Sequence, residues 1–123
     1  MTPQRPYLLK AIYEWVLDND EIPYILVDAK AEGVQVPSSS INEGRVVLNI
    51  SPAAVENLVL GIEEVSFSCR FDGHVFLVRL PIRSVLALYS RADGKGISFD
   101  SAEYGSASED VFEGQKKPNL KLV

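Results

Sequence analysis

Reactive side chains are scarce in this sequence. One cysteine and one histidine occur among 123 residues, so an internal disulfide is impossible and the converging ligands of a metal site are missing. The glycines are scattered as turn formers, and none belongs to a phosphate-binding loop. The carboxylates cluster in turns and near the C-terminus, which leaves paired acid–base chemistry without an evident scaffold. We therefore expect a binding protein that is not an enzyme and that holds no metal or cofactor.

Basic charge and long apolar runs are also scarce. The formal net charge is −5 and the pI is about 4.8, whereas nucleic-acid binding requires a basic surface. The longest apolar runs, such as residues 75–78, are far too short to cross a bilayer. The N-terminal segment lacks the apolar stretch and the cleavage site of a signal peptide. We expect a cytoplasmic protein with no membrane partner, for which nucleic acid is not the main partner.

Length and hydrophobic periodicity predict one domain that begins with a helix. A chain of 123 residues with 46% hydrophobic content is typical of one globular domain. The apolar spacing over residues 6–19 is helical, and the broad apolar face, which includes Trp15, is wider than one helix needs to cover a small sheet. Tyr7 and Ala11 form a flank that could meet a second copy of the helix. Plain core packing is the alternative interpretation of this flank.

The remainder of the chain reads mainly as strands, so the predicted fold class is mainly β with an N-terminal helix (α+β). Alternating and β-branched runs predict strands over residues 24–29, 33–37, 45–50, 64–71, 74–80 and 97–99. A serine followed by a proline predicts short helical turns over residues 51–58. Residues 81–91 fit neither the helical nor the strand period, and both alternatives stay open.

The dipeptide Asp72-Gly73 predicts a two-residue hairpin turn. The resulting register pairs Phe71 with His74 and Cys69 with Phe76, so Cys69 points to the core and does not meet His74 as a thiol–imidazole pair. A buried cysteine is usually a small hydrophobic residue. The opposite face mixes polar and apolar side chains, which favours a groove wall or a dimer contact; it carries Ser66, Ser68, Arg70, Val75 and Leu77.

Beyond Phe99 the composition changes. Serine, glycine and acidic residues dominate, and we expect disorder from about Tyr104 to the end because such a segment cannot bury enough apolar surface. The chain then ends in QKKPNLKLV. We expect its apolar tip either to dock on its own domain or to bind a partner, and an inert terminus is the alternative.

Several segments, taken in order over roughly residues 2–100, resemble the stringent starvation protein B (SspB) family. These segments are RPYLLKAIYEWVLDN, PYILVDA, GVQVP, VVLNISP, EVSFSCRF and LALYSRADGKG. The resemblance is specific because the segments occur together with family-like spacing. In addition, the tip PNLKLV resembles the short C-terminal motif by which this family docks on the ClpX unfoldase.

The resemblance implies a homodimeric adaptor that catalyses no reaction. Such an adaptor has an Sm-like, barrel-related β body with a groove for the ssrA tag, which is added to proteins from stalled ribosomes. Its C-terminal tails bind the N-terminal domain of ClpX, so that tagged substrates reach the ClpXP protease. The implied organisation is a tag-binding and dimerisation domain over residues 1–103, a flexible acidic linker over 104–117 and a docking tail over 118–123. The linker is shorter than is common in the family.

The resemblance also implies which residues make these contacts. Tyr7 and Ala11 match dimer-interface positions. The implied groove residues are Val47, Asn49, Phe67, Cys69, Arg70 and Phe99, and the implied ClpX-docking residues are Leu120, Lys121, Leu122 and Val123. Asn49 could equally cap the turn at Ser51, and Arg70 could be a solvated hairpin charge. Cys69 stands where the family has a smaller alanine, so we expect the affinity for the tag to differ.

Three other functions stay open at this point. The first is an Sm-like RNA-binding protein, against which the acidic charge weighs. The second is a purely structural dimerisation module without a peptide ligand. The third is a thiol enzyme that uses Cys69, for which the sequence offers no partner group.

Overall fold

The computed structural model describes residues 2–99, which form one α-helix and seven strands. The helix α1 spans Arg5–Asp18, and the strands are β1 (Pro23–Asp28), β2 (Arg45–Asn49), β3 (Glu56–Leu60), β4 (Glu64–Phe71), β5 (His74–Pro81), β6 (Val85–Ser90) and β7 (Gly96–Ser98). The mainly β class with an N-terminal helix is therefore confirmed. The predicted linker over 104–117, the predicted tail over 118–123 and the disorder expected from Tyr104 onward lie outside the described residues.

The strands form two antiparallel sheets around one core. The four-stranded sheet has the order β2-β1-β6-β7, and the three-stranded sheet has the order β3-β4-β5. Ile25 and Val27 of the first sheet share a core cluster with Val65, Phe67 and Val78 of the second. Because side chains alternate between the two faces of a strand, each strand also presents a second set of residues away from this core.

Helix α1 begins where proline is compatible with a helix. Pro6 lies in the first turn, where the missing N–H would have no partner within the helix. Leu9 and Val16 are buried and join the core. Trp15 lies at the margin of the predicted apolar face and is only partly covered, because its side chain is 38% exposed. Trp15 follows Ala11 by four residues, so the two share the outward side of the helix.

The predicted hairpin is confirmed residue by residue. Phe71 pairs with His74 and Cys69 with Phe76. Both residues of the turn have positive φ, 53° at Asp72 and 81° at Gly73, as a type I′ turn requires. This turn has the twist of the flanking strands and so determines the register of the whole β4–β5 pair.

Two predictions, one of a strand and one of helical turns, are corrected by the structure. Residues 33–37 do not form a strand but make an isolated bridge between Gln35 and Arg79. Pro37 has no N–H for a further ladder bond, and a 3-10 turn over Ser38–Ser40 follows. The helical turns predicted for residues 51–58 are limited to a tight turn, because strand β3 begins at Glu56.

The ambiguity over residues 81–91 is resolved by the structure as a short turn followed by a strand. A 3-10 turn covers Ile82–Ser84, and strand β6 begins immediately after it. Strand β6 lies between β1 and β7 in the four-stranded sheet. Because this central position buries most of the strand, its apolar side chains do not alternate with polar ones and the strand period is hidden.

A buried arginine joins the start of the helix to the end of the described sheet. Arg5 has no exposed surface, and its Nη1 donates to the carbonyl oxygens of Val85 at 3.1 Å and Arg83 at 3.3 Å. The guanidinium carbon lies 4.7 Å from the centroid of the Phe99 ring. Hydrogen bonds from a charged donor are stronger than neutral ones, and the aromatic face adds a cation–π attraction. Arg5 therefore holds three separate segments together.

We predict that Arg5→Met lowers the free energy of unfolding by about 2–4 kcal/mol, because the buried carbonyl oxygen of Val85 and the partly buried one of Arg83 lose this donor. Urea denaturation measures the change. The matched control is Arg79→Met. Arg79 and Glu64 form an exposed ion pair at 2.9 Å, and removing an exposed pair should leave the stability nearly unchanged. Equal effects of the two substitutions would contradict the role given to Arg5.

Candidate peptide-binding site

A groove of about 360 Å³ lies beside the β4–β5 hairpin. One wall consists of residues 52–56, which run from the turn after β2 into the first residue of β3, and the other consists of residues 68–70 together with Val75. The first wall includes Ala53 and Ala54, whose small side chains leave room for another backbone to approach. The groove therefore has an open, partly apolar shape that suits an extended chain.

The wall formed by residues 52–56 is shaped by a tight turn. The N–H of Ser51 donates to Oδ1 of Asn49 at 2.9 Å, and the carbonyl oxygen of Ser51 accepts from Ala54 and Val55 at 2.9 and 3.2 Å. Val55 is buried and anchors the end of the turn in the core. In the structure, Oδ1 of Asn49 therefore caps the turn at Ser51, which is one of the two roles considered for this residue.

The hairpin wall brings a cation and apolar surface together. Arg70 is exposed and pairs across the strands with Val75, whose side chain is 67% exposed. Cys69 is half-buried beside them. Within residues 2–99 the ion pair that forms is the one between Arg79 and Glu64, so Arg70 is not neutralised by a carboxylate there. A guanidinium in this position can bind an acidic group of a ligand.

The six residues expected in the groove do not all come together. Cys69 and Arg70 line it, and Asn49 supports its wall. Val47 is 46% exposed but lies on strand β2, opposite Leu26 and outside the groove lining. Two of the six, Phe67 and Phe99, are only 1% and 6% exposed and belong to the core.

Sequence reasoning missed the wall formed by residues 52–56. The sequence predicts helical turns for these residues, and this prediction does not identify Ala53, Ala54 and Glu56 as groove residues. The available signal was the short apolar run over residues 58–60, which is compatible with a buried strand but does not by itself distinguish a strand from a helix. Recognising that strand would have placed its N-terminal end beside the hairpin.

Comparison with known proteins identifies the family. The profile of the family "Stringent starvation protein B" matches residues 3–121. The chain belongs to the stringent starvation protein B family. A relative from Haemophilus influenzae, named "Stringent starvation protein B homolog", is 41% identical over 102 residues, which is 83% of this chain and 68% of the relative. The resemblance inferred from the sequence motifs is thus confirmed.

An apolar strip runs along the exposed side of helix α1 in this SspB family member, beside the exposed charged residues Lys10 and Glu14. Tyr7 is 56% exposed and Trp15 is 38% exposed, and Ala11 between them is also exposed. Residues spaced by four lie one above the other on a helix. Tyr7 and Ala11 are therefore accessible to a second copy, and the dimer contact through them stays a prediction.

The described part of this SspB family member supplies little reactive chemistry. Burial raises the pKa of the Cys69 thiol, which reduces the fraction of nucleophilic thiolate at neutral pH. Residues 2–99 contain no cluster of three or more His, Cys, Asp or Glu side chains that could hold a metal ion. In the same range, no helix has the length and apolar content needed to cross a membrane.

We predict that Cys69 reacts slowly with iodoacetamide at pH 7.5. Its raised pKa and half-buried position lower the amount of accessible thiolate, so the rate should be at least about threefold below that of cysteine in a short peptide. Mass spectrometry of timed samples measures the rate. The same protein unfolded in urea is the control and should react as fast as the peptide. Rapid modification of the folded protein would instead support a reactive thiol.

Proposed function

We propose that this SspB family member is a non-enzymatic adaptor that binds ssrA-tagged proteins and delivers them to the ClpXP protease. The observation that carries the proposal is the open groove with Arg70 on one wall and the small residues Ala53 and Ala54 on the other. Family membership supports the same role. We further infer that the β body is Sm-like and that the protein acts in the cytoplasm, where tagged chains from stalled ribosomes arise.

The groove chemistry suits an extended tag. A bound peptide in such a groove is held by its main chain and by small pockets for alternate side chains. Val75 and Cys69 offer apolar surface, while Arg70 offers a charge for the acidic residues of the tag sequence AANDENYALAA. Because complementary charge mainly sets specificity and association rate, Arg70 would help select an acidic tag.

Delivery requires contacts beyond the groove. We propose that Tyr7 and Ala11 contribute to a homodimer, that residues 104–117 act as a linker, and that the tail over residues 118–123 binds the N-terminal domain of ClpX. A tail of a few residues binds weakly alone because it must be ordered on binding. Two tails on one dimer raise the effective concentration of each at the protease.

We predict saturable binding of fluorescently labelled AANDENYALAA peptide, measured by anisotropy. Arg70→Ala should weaken binding about two- to fivefold, the effect expected for an exposed charge contact. Arg79→Ala is the matched control and should bind as tightly as the wild type, since Arg79 pairs with Glu64 and is not part of the groove lining. Absence of saturable binding to the wild type would contradict the proposal and favour a structural dimerisation module.

We predict that deleting residues 118–123 abolishes the stimulation of ClpXP without weakening peptide binding. The physical reason is that the apolar side chains Leu120, Leu122 and Val123 supply the contact with ClpX, whereas the groove lies in the β body. Degradation of an ssrA-tagged fluorescent reporter measures the stimulation. A variant with Leu120 and Leu122 replaced by serine serves as a full-length control and should behave like the deletion. Stimulation that survives both changes would show that the tail has another role.

A further inference from the structure

Strand β3 has a bulge beside the groove. Val59 pairs with Ser66, whereas Glu56 pairs with Ser68, so three steps along β3 oppose two steps along β4. Within this interval Asn57 has a φ of 57°, in the left-handed region where bulges commonly use glycine. Asparagine tolerates this region better than most other residues. The extra residue of the bulge is therefore one whose side chain tolerates the positive φ at this position.

The bulge changes which side chains of this segment face the core. Leu58 and Leu60 pack against the core, and Val59 is 54% exposed. Regular alternation toward the N-terminus would then turn Glu56 inward and Val55 outward. The structure shows the reverse, since Val55 is 7% exposed and Glu56 is exposed on the groove wall. The bulge thus keeps a carboxylate out of the core and places it in the groove.

The groove consequently contains two opposite charges that do not neutralise each other. Glu56 pairs with Ser68, and Arg70 lies two residues further along β4, which makes it a diagonal neighbour of Glu56. Both residues line the groove. In the part of the chain that the structure describes, the ion pair present is Arg79–Glu64. The Glu56 carboxylate therefore remains available to a ligand.

We propose that the bulge at Asn57 makes Glu56 a specificity determinant of the groove, which favours peptides with a cationic group near the residue that Arg70 binds. The proposal rests on the proposed peptide-binding function and extends it to a second charge. A cationic side chain beside Glu56 should strengthen binding about two- to fivefold, as exposed ion pairs do. The gain should shrink at high ionic strength, because salt screens such pairs.

The first experiment is a lysine scan of the labelled AANDENYALAA peptide. Each position is replaced in turn by lysine and by glutamine, and the affinities for the wild type and for Glu56→Gln are compared. We expect one position at which lysine binds about two- to fivefold tighter than glutamine, with this preference lost in Glu56→Gln. Glu63→Gln is the matched control and should keep the preference, because Glu63 is exposed outside the groove lining.

The outcomes separate this proposal from the adaptor function. Equal lysine and glutamine affinities at every position, or a preference that persists in Glu56→Gln, would overturn the role of Glu56 while leaving peptide binding intact. If no peptide binds to the wild type, both proposals fail together. A preference that Glu56→Gln removes and Glu63→Gln keeps supports the assignment.

The second experiment tests the bulge itself. Asn57→Gly should keep the lysine preference, because glycine adopts positive φ without steric cost. Asn57→Val should lose the preference, because a β-branched residue is strongly disfavoured in the left-handed region. Circular dichroism establishes that each variant folds, and Asn57→Ala replaces Asn57→Val if the latter does not. A folded Asn57→Val or Asn57→Ala variant that retains the full lysine preference would overturn the role of the bulge.

Discussion

The groove depends on the register of the β4–β5 hairpin. Because side chains alternate along a strand, the pairing of Phe67 with Val78 sends both residues to the core and leaves Arg70 and Val75 on the other side. A slip of one residue would bury Arg70 and expose Phe67. The two-residue turn at Asp72 prevents such a slip, since the positive φ of this turn suits only one geometry of the flanking strands. The position of every hairpin residue in the groove follows from this register.

The opposite wall depends on two local features rather than on a long ladder. The hydrogen bond from Ser51 to the Asn49 side chain orders the turn, and the bulge at Asn57 changes the phase of strand β3. Between them Val55 is buried. Both features involve asparagine, whose short polar side chain bonds nearby backbone and tolerates unusual φ. The wall is thereby attached to the apolar core without placing the Glu56 carboxylate in that core.

Sequence rules succeeded where local chemistry decides the structure. The Asp72-Gly73 turn and the proline near the start of helix α1 are local signals, and both were interpreted correctly. Sequence rules failed where pairing between distant segments decides the structure. Glu56 and Asn57 are poor strand formers, so only their pairing with β4 reveals a strand. The apolar face of helix α1 is wider than the sheets cover, so periodicity alone could not show that Trp15 is exposed. Burial of Phe67 likewise depends on the four-stranded sheet, whose Ile25 and Val27 share the core with it.

On the β4–β5 hairpin, Arg70 and Arg79 differ in what already satisfies them, and that difference suggests where on the hairpin a ligand binds. Arg5 is buried against two carbonyl oxygens and the Phe99 ring. Arg79 pairs with Glu64, and Arg83 donates to the carbonyl oxygen of Glu32 at 3.3 Å. Arg70 makes no such contact within residues 2–99 and stands at the groove. Since a ligand gains most from a charge that it need not take from another partner, we propose that an acidic group of a bound peptide lies at Arg70 rather than at Arg79.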